Sequence, residues 1–161
     1  MKNNSESIDK DDHRHRYGVI VHEDPATELR ARRLWNELVH DMGQDVRFGA
    51  TYQPAGEVKE LLDFERASVT DIVIISVHDL ARFLFTAAAW LDDWLATKSS
   101  LPRALFVLHD EKEDTRVIEF LQTISGFAGV TLFNRGCETC GPPVMGVEDD
   151  RQPAEGLALV A

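Results

Sequence analysis

Three histidines stand at the ends of three apolar runs, each followed by acid: Val21-His22-Glu23-Asp24, Val77-His78-Asp79 and Leu108-His109-Asp110. If the runs are neighbouring strands, His22, His78 and His109 share one edge. Neutral imidazole is the commonest metal ligand, and carboxylates such as Glu23 and Asp24 ligate or orient it. Two or three His with a carboxylate would suit zinc or another divalent transition metal as cofactor. The plain alternative is that polar residues stand where a strand leaves the core and Asp caps the next helix. Near the C-terminus Cys137-Glu-Thr-Cys140 places two thiols at ligand spacing. One such pair is half a zinc site. A redox pair would need a helix N-terminus to lower a thiol pKa, and Gly141-Pro-Pro143 follows instead. Cys137 and Cys140 therefore stand as ligands, as a redox pair, or as two thiols in a loop.

The elements that must position these residues are read from hydropathy. Ile72 to Val77, apolar except for Ser76, suits a strand buried on both faces; Ser76 reads as a small residue packed inside it. Tyr17–Val21 and Ala104–Leu108 are similar runs, Val46–Tyr52 alternates like an edge strand, and Val130–Phe133 is short. Between them lie helical patterns. Asp24 and Pro25 open the first, whose stripe is Ala31, Leu34, Trp35, Leu38, Val39 and Met42, and Gly43 stops it. A second spans about 57–67. Asp79 caps the longest, about Leu80 to Thr97, and a fourth runs to about Ser125 with Gly126 as its stop. Trp90 lies beside the core stripe of the long helix, so it is expected at a boundary and is a candidate partner-contact residue. Exposed apolar residues on that helix would support a homodimer.

Alternating strands and helices with short connections imply a parallel sheet covered on both faces. The expected fold is α/β, a flavodoxin-like three-layer sandwich with five parallel strands in the order 2-1-3-4-5. Its switch point falls between the first and third strands, near His22 and His78. Residues 1–16 read as a disordered polar tail, 17–134 as the domain, and 135–161 as a mostly irregular acidic tail holding the CxxC.

Charge and composition exclude several functions. The 161 residues carry a net charge of −11. Residues 17–133 hold eleven Lys/Arg against nineteen Asp/Glu, so the acidity lies in the domain. Nucleic acid and anionic membrane need a basic face and are not expected partners. The turn after the first strand, His22-Glu-Asp-Pro25, has no glycine and two negative charges, which repels phosphate. No run has the length of a transmembrane helix, and the N-terminus lacks the apolar core of a signal peptide, so a cytoplasmic location is expected.

The stretch Asp71-Ile-Val-Ile-Ile-Ser76-Val77 resembles the third strand of receiver domains of bacterial response regulators, which often reads D-L-V-L-L-D-V. The resemblance covers about Tyr17 to Asn134. It implies a signalling role, a flavodoxin-like fold, and an Mg²⁺-binding acidic pair after the first strand, where Glu23-Asp24 stand. The chain departs at the phospho-acceptor, where Ser76 replaces Asp. It departs at the Ser/Thr after the fourth strand, which falls near His109, and at the Lys after the fifth, near Asn134-Arg135. The last helix is missing. A neutral hydroxyl does not replace a carboxylate nucleophile, so a degenerate module that binds a protein partner is the leading expectation. A metal-dependent or thiol-redox enzyme using the His edge and the CxxC is the alternative. The chain also resembles small uncharacterised bacterial proteins, from which no activity carries over.

Overall fold

The structure, a computed structural model, describes residues 15–60, 69–110 and 115–137. In chain order these form β1 (His15–His22), α1 (Pro25–Asp41), β2 (Arg47–Pro54), a 3-10 segment (Ala55–Glu60), β3 (Thr70–Ser76), α2 (Leu80–Ala96), β4 (Arg103–Asp110), α3 (Thr115–Ala128) and β5 (Val130–Cys137). The five strands make one parallel sheet in the order β2-β1-β3-β4-β5. This is the expected flavodoxin-like sandwich. Among the described residues no helix is long and apolar enough to cross a membrane.

Each strand's burial follows its position in that order. β3 lies in the centre and is buried along its whole length. The two faces of the sheet carry separate cores. On one side Ile20, Ile72, Ile74 and Leu108 meet Ala31, Leu34 and Trp35 of α1. On the other Val19, Val21, Val73, Ile75, Leu105 and Val107 meet α2 and α3. Gly18 lets α1 lie close, for Trp35 covers it and a Cβ there would sit 2.4 and 2.6 Å from ring carbons.

At the amino edge of the sheet, Arg103 closes α2 by donating to the carbonyls of Trp94 (2.7 Å) and Leu95 (3.2 Å). The Trp94 indole donates to the Thr70 carbonyl (3.1 Å). Asp71 lies in the same buried layer. Desolvation pushes its carboxyl up, and Arg16, 3.9 Å away, opposes this.

The element boundaries depart from expectation at several ends. β1 starts at His15, and β5 runs to Cys137, because pairing with a neighbour extends a strand beyond its apolar centre. His15-Arg16 and Arg135 to Cys137 thus belong to the sheet rather than to the tails. α3 passes Gly126 and ends at Ala128, with the reversal at Gly129, whose φ is +67°. Gly43, with φ +81°, does end α1. The helix expected over 57–67 lies mostly outside the described residues; its start, Ala55–Glu60, is a 3-10 turn. Trp90 is corrected from boundary to core. It is 5% exposed, among the side chains packed between α2 and the sheet.

Candidate functional site at the carboxyl edge

The edge is built from the α1 cap outward. Asp24 is the N-cap: its Oδ1 accepts from the Thr27 amide at 2.8 Å. Thr27 Oγ1 in turn accepts from the amides of Asp24 and Glu23, each at 2.9 Å. This satisfies donors that a helix start leaves free. It also fixes the direction of α1 over β3, so that Arg30, one turn further on, points at the end of that strand.

Arg30 is the centre of the site. Its guanidinium is buried, 7% exposed, and four N–H groups find acceptors. Nε donates to Ser76 Oγ (3.0 Å), and Nη1 donates to Asp110 Oδ1 (3.2 Å). Nη2 donates to the carbonyls of Val77 (2.8 Å) and Leu108 (3.1 Å). Ser76 is fully buried, and its hydroxyl donates to the Thr27 carbonyl at 2.7 Å. Hydrogen and lone pair are both engaged, and a cation lies against the oxygen. A hydroxyl held this way has no base and no free approach.

His78 forms the outer layer. Its Nε2 lies 2.8 Å from Asp24 Oδ2 and its Nδ1 3.0 Å from Asp110 Oδ2. Ionised carboxylates only accept, so both contacts are satisfied together only by the imidazolium, with a hydrogen on each nitrogen. The His78 pKa is accordingly raised, chiefly by the hydrogen bond to Asp24, with Asp110 adding to it and burial opposing. Asp24 is lowered from 3.8 to about 2, first by the Thr27 amide and also by His78. The His78 amide donates to Glu23 Oε2 at 3.0 Å. Three carboxylates therefore face two side-chain cations, Arg30 and His78, which offset most but not all of their charge within the chain.

The other expected residues have separate partners. His22 Nε2 is 3.9 Å from Glu28 Oε2, and its Nδ1 is buried without a hydrogen bond. His109 Nδ1 lies 2.6 Å from the Asp110 carbonyl and Nε2 2.7 Å from Asn134 Oδ1. A neutral His109 satisfies both when Nδ1 donates and the Asn134 amide is turned to donate to Nε2. His109 and Asn134 also line a cleft of about 640 Å³ between β4, α3 and β5. Cys137 ends β5 as the register partner of Asp110; its side chain and Cys140 lie outside the described residues. Among the described residues no group of three or more His, Cys, Asp and Glu is placed to hold a metal ion.

The edge thus brings together Glu23, Asp24 and His78, with Asp110 added. It does not bring His22 or His109 into that cluster's hydrogen bonds. Arg30 and Thr27 were absent from the sequence expectation. The signal was a charged residue in the buried stripe of α1, one turn before Leu34. In comparisons with family models, curated proteins and solved structures, nothing matches the chain.

Proposed function

We propose that this chain is a receiver-like regulatory module that acts by binding another protein and performs no phosphoryl transfer of its own. The observation that carries the reading is Arg30 against Ser76. Ser76 stands where the receiver resemblance places the acceptor carboxylate, and both its hydroxyl hydrogen and its oxygen are engaged. The acidic pair that would hold Mg²⁺ in that family is used within the chain, Asp24 on the helix cap and His78, Glu23 on the His78 amide. Arg30 and His78 supply the positive charge that a metal would bring to such a cluster. Large exposed apolar side chains such as Phe127, 89% exposed, are the kind of surface that a binding module offers.

Incubation with acetyl phosphate and Mg²⁺, followed by intact mass, tests the silent-acceptor half. The expected mass is unchanged, and a stable phosphoryl adduct overturns it. The binding half predicts a protein that co-purifies with the wild-type chain and is lost from Phe127→Asp or another exposed apolar variant. A chain that retains nothing specific overturns that half.

A further inference from the structure

The outer face of α2 carries a phenylalanine among alanines, with Arg82 toward one end and Asp92 and Asp93 toward the other. Phe85 is 92% exposed, and Ala81, Ala88 and Ala89 are exposed around it. At about 3.6 residues per turn, Ala81, Phe85, Ala88, Ala89 and Asp92 form one stripe. Arg82 and Asp93 lie along the same flank of it. No ion pair of Arg82, Asp92 or Asp93 occurs among the described residues. The order of these residues is self-complementary. A two-fold axis perpendicular to the helix, between positions 87 and 88, makes two copies antiparallel. It brings Arg82 of each level with Asp93 of the other on the same flank. It also sets each Phe85 over the small side chains Ala88 and Ala89 of its counterpart, where no bulk opposes the ring.

We propose that α2 is a homodimer interface, in which two copies pair antiparallel through Phe85 and the reciprocal Arg82–Asp93 contacts. A closed two-fold pair is the commonest way for a self-complementary patch to be satisfied. The partner must have a small-residue floor with acid on the side that meets Arg82, and a second copy supplies both. The helix has 17 residues, about 25 Å of contact length, so the interface is at the small end of specific ones and the dimer is concentration-dependent. Each copy carries −11, and salt screens the repulsion between the two bodies. The inference concerns a second copy of the chain, beside the partner protein of the module proposed above, and rests on the α2 face alone. A phosphoryl adduct on the chain would overturn that earlier reading and leave this one standing.

Sedimentation velocity on the full chain over about 5 to 500 µM, a range set by the weak-interface class, tests it. The wild type is expected to pass from monomer to dimer. Phe85→Asp raises the dissociation constant about tenfold or more. Because Phe85 is solvent-exposed, an unchanged melting curve verifies that the variant is folded. Arg82→Glu alone and Asp93→Arg alone each weaken the dimer by setting like charges together. An equimolar mixture of those two variants restores it, since in the mixed pair both contacts join opposite charges. A wild type monomeric throughout overturns the proposal. So does a dimer that Phe85→Asp leaves intact, which would place the contact elsewhere. A mixture that fails to restore association overturns the antiparallel register and the proposal with it.

Discussion

Deprotonating His78 removes one hydrogen from an imidazole that serves two carboxylates, so either Asp24 or Asp110 must lose its bond. The folded pKa of His78 lies above its ordinary 6.5. Its contribution to stability is therefore complete below about that value and is lost as pH rises through the higher folded pKa. Asp24 has the opposite sense: its contribution is present above 3.8 and is lost as pH falls through about 2. His78→Gln is expected to cost on the order of 1 kcal/mol at pH 6, discounted for partial exposure. The difference from wild type should narrow as pH rises, measured by urea denaturation; a constant difference would contradict the bridging imidazolium. Arg30→Met removes four donors and strands buried acceptors, and should cost about 3 kcal/mol. Arg30→Lys should recover little, because one ammonium does not span Ser76, Asp110 and two carbonyls. The caps at Asp24 and Asp79 were legible in the sequence, because capping is a local relation between a side chain and the next turn. Arg30 was not. Its partners lie 46 to 80 residues away, and an arginine on a helix ordinarily reads as a solvated charge.

Helix α1 and strand β1 depend on one close approach. Gly18→Ala would press its Cβ into the Trp35 ring, and overpacking of this kind should cost about 2 kcal/mol. Gly126 offers a contrast on α3. It lies within the helix with no heavy atom within 4 Å of an added Cβ. Gly126→Ala should therefore stabilise the chain by about 0.5–1 kcal/mol. Thermal or urea unfolding of the two variants reads both signs, and equal effects would contradict the packing described. At this scale the strong elements were legible because their burial is extreme: β3 has polar neighbours only at its ends, and α2 repeats its apolar stripe over four turns. Boundaries were less so. β5 extends to Cys137 by pairing with β4, which no local property of Asn134-Arg135-Gly136 announces. Trp90 was misplaced because it sits at the margin of its stripe, and only the packing of α2 on the sheet decides on which side such a residue falls.

Across the whole molecule, an acidic chain folds into a sheet whose carboxyl edge sets two of its own cations, Arg30 and His78, against three carboxylates. The order 2-1-3-4-5 was legible from the alternation of strands and helices with the apolar runs in the middle. The resulting edge was legible as a place, and its residue types suggested metal. What it does was not legible, because it depends on which cation reaches the carboxylates. In this fold the side chains of α1 and of the β3 end reach them first. The α2 face adds a second expectation at this scale, that association rises with protein concentration and is weakened about tenfold or more by Phe85→Asp. The proposed module requires that Arg30 and the Thr27 carbonyl keep Ser76 closed to an added phosphoryl group. The ¹⁵N–¹H spectrum of the folded protein with and without Mg²⁺ and beryllofluoride, a phosphoryl mimic, tests this. The amide signals of Ser76, Val77 and His78 should stay where they are. A saturable displacement of those signals would mean that Arg30 yields the site, and would contradict the account.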